Sequence, residues 1–189
     1  VDVSLSVSID CDVSVVIFEK LKELNDYTDG YNFATAVSKY WEGYDTGNDV
    51  LKENALKWLR GEYTSKIETM RDLSIREYIN DAAFYNSLKL YSILVRKAGY
   101  KGLLINLDEM VNLYKIPTSV SRKSNYEVIL NILNDTLQGN LSGIGFVMGG
   151  TPDFLTDSYR GLYSYEALRS RLSENSFSSV LGLIDYNST

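Results

Sequence analysis

Two short apolar runs, "LLINL" at 103–107 and "IGFVM" at 144–148, constrain this chain more than anything else in it. Each follows a glycine, and the stretch between them is far too long for a hairpin. Part of that stretch, 125–138, has helical spacing, with Val128, Ile132 and Leu137 on its expected buried side. A strand, a helix and a second strand without a tight turn predict a parallel pair with a helical crossover. The unbroken apolar character of 103–107 further predicts a strand covered on both faces. The expected fold class is α/β with a parallel sheet.

The preceding residues are mostly helical. Val1, Val3, Leu5, Val7 and Ile9 alternate as in a strand, but helical periodicity then takes over at about 12–25, 31–42, 48–60 and 75–98. Gly61 and Gly99 mark two of the expected helix ends. Short helices are expected near 152–157 and 164–175. A chain of 189 residues with 44% apolar content can bury one good core, so a single domain over 1–189 is the expectation. Residues 1–100 would form a helical cap or insertion and 101–189 the chemical half.

Composition removes several chemistries. With no histidine, the Ser-His-Asp and Cys-His mechanisms are excluded, and no zinc cluster is plausible. Cys11 is the only cysteine, so there is no intrachain disulfide, which fits a cytoplasmic protein. The net charge of −6 argues against a nucleic-acid binder that uses its whole surface. No apolar run approaches the roughly 20 residues that span a bilayer.

The first strand runs directly into Asp108-Glu109. In doubly wound sheets, ligands sit at the carboxyl ends of the strands. Phosphoryl transfer from a nucleotide needs a carboxylate there for Mg²⁺ and a second group to orient the attacking water. An apolar strand ending in Asp-Glu is the Walker B pattern of ATPases; its plain alternative is a solvated strand end. The second strand ends in "GGTP", which places Thr151 where many such enzymes carry a phosphate sensor. In "GLYSYEALRSRL", Arg169 and Arg171 are candidates for an arginine finger reaching a neighbouring subunit's nucleotide, with Arg160 a weaker one.

The phosphate-binding loop is missing: G-x-x-x-x-G-K-[ST] does not occur, and no glycine is followed by lysine. The first methionine is Met70, and residues 1–9 read as a strand already under way. The expectation is a fragment whose phosphate-binding loop lies upstream.

Together, "WLRGEYTSKIETMRDL", "YKGLLINLDEMVNLYKIP", "NYEVILNILNDTLQG", "GFVMGGTPDFL" and "RGLYSYEALRSRL" resemble a bacterial family of P-loop ATP-binding proteins. Its members include the BrxC/BrxD-type proteins of BREX phage-exclusion systems. The likeness covers roughly residues 50–185. It implies a parallel-sheet P-loop NTPase core of the AAA+-like type, with Mg²⁺ and ATP as cofactors. By position it implies Asp108 for Mg²⁺, Glu109 for water activation, Thr151 in the sensor region and Arg169 or Arg171 acting in trans. It also implies a homo-oligomer, with DNA and defence-system proteins as partners.

Other segments bear on the choice of function. Lys115, Arg122 and Lys123 would lie on a loop able to touch DNA phosphates or another subunit, or simply be solvated. The 15 tyrosines, Tyr78, Tyr85, Tyr91 and Tyr126 among them, suit base stacking or core packing. Two function classes compete: an ATPase core, and a non-catalytic interaction scaffold with a degenerate nucleotide site. A Mg²⁺-dependent phosphatase or nuclease would need more clustered carboxylates than Asp108, Glu109 and Asp153.

Overall fold

The computed structural model describes residues 13–172, with the side chains of 13, 14 and 18 left aside. The strand expected over 1–9, and any helix beyond 172, lie outside the described residues. The chain divides at Gly102/Leu103 into two compact units.

Helices are the only regular elements in the described part of the first unit. Helices α1 (Val13–Lys22), α2 (Gly30–Asp45), α3 (Asp49–Leu59), α4 (Lys66–Leu73) and α5 (Phe84–Lys97) follow one another, with a 3-10 turn at Glu23–Asp26. α2 and α3 form a tight helical hairpin. At their closest approach, a Cβ on Gly43 would fall 2.7 Å from the Lys52 amide nitrogen, so only glycine lets the backbones pack this closely. The Asn48 side chain caps α3 by accepting from Leu51 N–H. The core gathers Leu24, Phe33, Ala55, Trp58, Tyr63, Leu73, Ile75 and Leu90. Phe33 stands edge-on to Tyr91 at 4.9 Å between centroids, and the Trp58 indole N–H donates to Glu77 C=O at 2.8 Å.

The single long helix expected at 75–98 is corrected here. α4 ends in Ser74, whose left-handed φ of 59° closes the helix while Ile75 N–H donates to Thr69 C=O. Irregular chain then runs to Asn80, whose side chain accepts from Ala82 and Ala83 N–H, and α5 starts nine residues later than the spacing suggests. Phe84, in the first turn of α5, is exposed.

The second unit carries the order β1 (Leu103–Leu107), α6 (Val111–Lys115), α7 (Ser119–Leu137), β2 (Ile144–Met148), α8 (Pro152–Thr156) and α9 (Glu166–Leu172). β1 and β2 pair in parallel, Leu103 opposite Ile144 through Leu107 opposite Met148. The chain is therefore α/β, with both strands where the apolar runs placed them.

Coverage of β1 on both faces is not observed. Leu104 is 65% exposed while Leu103, Ile105 and Leu107 turn inward, and on β2 Val147 is 54% exposed. One face of the two-stranded sheet meets the helices, and the other has no layer over it among the described residues of this unit. α7 begins at Ser119, six residues before the expected start, under a cap from Thr118, whose side chain accepts from Ser121 N–H. Its buried residues are Arg122, Tyr126, Ile129 and Ile132; Val128 and Leu137, expected inside, are exposed. The core of this unit joins Tyr126 and Ile129 to Met110, Phe154, Leu162, Leu168 and Leu172.

Candidate functional site

Parallel pairing sets the carboxyl ends of β1 and β2 side by side, with Asp108 and Glu109 on one tip and Gly149, Gly150 and Thr151 on the other. Two backbone hydrogen bonds join the tips beyond the last paired residues. Gly149 N–H donates to Leu107 C=O, and Met110 N–H donates to Gly149 C=O, each at 2.9 Å.

The Asp108 carboxylate lies against Gly149. A Cβ built on Gly149 would stand 3.0 Å from Asp108 Oδ1, tighter than most real Cβ contacts, so the carboxylate would have to give by a few tenths of an ångström. The same oxygen accepts from Glu109 N–H at 2.7 Å, so the backbone orients it. The other oxygen has no partner among the described residues, and the side chain is exposed. A carboxylate tethered on one oxygen and open on the other suits a hard cation that keeps most of its water.

Glu109 adopts a left-handed φ of 53°, a conformation that costs a non-glycine residue roughly 1 kcal/mol. Neighbours hold it there. Asn112 N–H donates to Glu109 C=O at 2.9 Å, and Asn112 Nδ2 donates to Glu109 Oε2 at 3.1 Å. The turn stops the strand and sends the chain into α6.

On the other tip, the space left by Gly150 is filled from within. A Cβ there would lie 2.7 Å from Phe154 Cδ1, so this glycine admits a core aromatic ring. The two glycines thus accommodate Asp108 and Phe154, and both remain exposed to solvent. Thr151 caps α8, its Oγ1 accepting from Phe154 N–H at 3.4 Å with Pro152 in the first turn. The hydroxyl is exposed and can still donate its proton outward.

The arginines fall into distinct settings. Arg169 is exposed on α9, with no side-chain bond among the described residues. Arg171 is half-buried and committed: Nε donates to Asn134 Oδ1 at 2.8 Å and Nη1 to Ala167 C=O at 2.7 Å. Arg122 lies in α7 rather than on a loop, only 8% exposed, donating to Ile116 and Pro117 C=O at 2.7 and 3.2 Å. Lys115, at the end of α6, and Lys123, in α7, are also on helices rather than a loop, and both are exposed. Arg160 Nη2 donates to Ile116 C=O at 3.2 Å, and its guanidinium lies 5.4 Å from the Tyr114 ring centroid.

That last group is one the sequence reading missed. Tyr114, on α6, donates to Asp157 Oδ2 at 2.7 Å. Asp157 Oδ1 accepts from the amides of Tyr159 and Arg160 at 2.7 and 3.1 Å, and Tyr126 Oη donates to Arg160 C=O. The Tyr114 hydroxyl, and then the two amides, hold the Asp157 carboxyl below its ordinary value. The same hydrogen bond raises the Tyr114 hydroxyl. "TDSYRG" carries a turn signal in its Asp and Gly, but nothing in the spacing announces a tie to a tyrosine 43 residues away.

The family model for the BREX system ATP-binding protein BrxC/D matches residues 6–189. The chain belongs to the BREX BrxC/BrxD ATP-binding family. No curated protein and no solved structure matches it. For a BrxC/BrxD chain, the strand tips fit one half of a Mg²⁺-nucleotide site. Asp108 offers an open carboxylate oxygen, while the glycine-lysine loop that would cradle phosphates is not among these residues. Among the described residues, no three His, Cys, Asp or Glu side chains converge, so they contain no ligand set for a two-metal hydrolase. Nor is any described helix long and apolar enough to cross a membrane.

Proposed function

We propose that this chain supplies the Walker B and sensor half of an AAA+-like P-loop ATPase core, acting in phage defence. The observation that carries the reading is the position of Asp108-Glu109 at the carboxyl end of a parallel strand, hydrogen-bonded beside the Gly149–Thr151 tip. Membership of an ATP-binding family supports the nucleotide.

In this reading, Asp108 holds Mg²⁺ through its open oxygen, directly or through water. Mg²⁺ with ATP supplies charge neutralisation at the transferring phosphoryl group. Glu109, turned out of the strand by its left-handed backbone, accepts a proton from the attacking water and orients it. Thr151 donates its hydroxyl proton to a phosphate oxygen and reports whether one is present. Arg169 acts in trans on a neighbour's nucleotide. Arg171 is the poorer choice, because freeing it means breaking its bonds to Asn134 and Ala167. A phosphate-binding loop from outside these residues completes the site, so residues 1–189 belong to one ATPase domain that works as a cytoplasmic homo-oligomer. Exposed Lys115 and Lys123 give it a surface for DNA, and other defence-system proteins are its partners.

The test is Mg²⁺-dependent ATP hydrolysis by the full gene product against Glu109→Gln, with and without DNA. The reading requires turnover that collapses in the variant while nucleotide still binds. If the full gene product neither binds nor hydrolyses ATP, the chain is an interaction scaffold that retains a relic strand end.

A further inference from the structure

α6 and α8 have five residues each, far below the roughly 12–15 at which an isolated helix becomes even marginally stable in water. Each begins directly after a residue placed in the site, α6 after Glu109 and Met110 and α8 after Thr151. Their orientation must come from contacts, and the far ends carry a specific one. Tyr114, in the last turn of α6, donates to Asp157, the residue that ends α8.

Following the bonds gives a closed circuit. From Leu107 the chain passes through Glu109 and along α6 to Tyr114, crosses to Asp157, and returns along α8 to Thr151 and Gly149. Gly149 is hydrogen-bonded back to Leu107 and Met110. Cations brace the crossing. Arg160 and Arg122 both donate to Ile116 C=O at the end of α6, satisfying a carbonyl that a short helix leaves open at its negative pole. Gly161 lets the following turn close over α8, since a Cβ there would lie 2.8 Å from the carbonyl oxygens of Asp153, Phe154 and Asp157.

We propose that Tyr114 and Asp157 are positioning residues that lock the two strand tips into one unit, so that Glu109 and Thr151 keep a fixed relation. Their part in turnover rests on the ATPase reading above; the mechanical coupling does not. A closed ring distributes a displacement. Breaking it at Tyr114 therefore loosens the tips at its opposite side, and not only the turn around Asp157.

The experiment uses the full gene product as wild type, Tyr114→Phe, Asp157→Asn and the double variant, with Glu109→Gln as control. Tyr114→Phe keeps the ring beneath Arg160 and removes only the donor. Amide exchange followed by mass spectrometry is expected to accelerate about tenfold in peptides containing Met110 and Gly149, in every variant that breaks the tie. With ATP, kcat is expected to fall about tenfold while KM changes less than about twofold. The double variant should be no worse than either single one. Faster exchange confined to Tyr159 and Arg160, with the tips unchanged, overturns the coupling. An unchanged kcat beside a normal Glu109→Gln loss overturns its catalytic relevance. If the wild type hydrolyses no ATP yet the tips loosen in Tyr114→Phe, the ATPase reading fails and the coupling stands.

Discussion

Asp108 and Gly149 interlock across the two strand tips: Asp108 Oδ1 stands 3.0 Å from the position a Cβ on Gly149 would take. A methyl group there pushes on the movable end of an exposed side chain and leaves the backbone in place. Gly149→Ala is therefore expected to keep stability within about 0.5 kcal/mol of wild type. By turning the carboxylate away, it should lower Mg²⁺-dependent turnover by about ten- to a hundredfold. Urea denaturation and steady-state hydrolysis measure both. Normal hydrolysis by the Gly149→Ala variant would show that Asp108 has no fixed position to lose.

Glu109 invites a comparison of two deletions. Both Glu109→Ala and Glu109→Gly remove the carboxylate, and both should abolish turnover. Only glycine accepts the left-handed φ of 53° without penalty. Glu109→Gly is expected to be about 1 kcal/mol more stable than Glu109→Ala in urea. Equal stability of the two would mean that the turn is not held left-handed in solution.

Arg169 and Arg171 should separate cleanly. Arg171→Ala removes charged hydrogen bonds to Asn134 and Ala167 and is expected to cost about 1–2 kcal/mol. Arg169→Ala should leave stability within about 0.5 kcal/mol and still abolish turnover. Mixing Arg169→Ala with Glu109→Gln subunits should restore part of the rate, because some interfaces then pair an intact arginine with an intact glutamate. No recovery on mixing would place Arg169 outside the site.

The Tyr114–Asp157 bond predicts a pH signature in stability. The folded-state value of the Asp157 carboxyl is depressed, with the Tyr114 hydroxyl as the largest cause. Its contribution is full above the unfolded value of about 4 and is lost as the pH falls through the lower folded value. Tyr114 has a raised folded value, so its contribution is full below an unfolded value of about 10 and is lost as the pH rises through the folded one. The stability gap between wild type and Tyr114→Phe should be level near neutrality and shrink at both extremes. Chemical denaturation across pH reads it; a gap that grows in acid contradicts the assignment.

How far the fold was legible in the sequence depended on how local its causes are. The two strands were readable because short runs after Gly102 and Gly143, apolar except at Asn106 and Gly145, allow little else. α5 was read nine residues too long because Ser74 in a left-handed conformation carries no glycine to flag it. α7 was read six residues too short because its first turn, Ser119 to Arg122, has a single apolar residue, the exposed Val120, and is still helical under the Thr118 cap. Asp108 and Glu109 were visible as a pattern at a strand end. The setting of Arg122, buried against Ile116, and the Tyr114–Asp157 tie depend on contacts between distant segments, which periodicity does not encode.

On the proposed function, Asp108 is the protein's hold on Mg²⁺ at a nucleotide site. The most direct measurement is ATP affinity of the full gene product with Mg²⁺ and with chelator, for wild type and Asp108→Asn. Mg²⁺ is expected to tighten ATP binding in the wild type, and Asp108→Asn to lose this increment while keeping the metal-free affinity. The same Mg²⁺ increment in both proteins would contradict it.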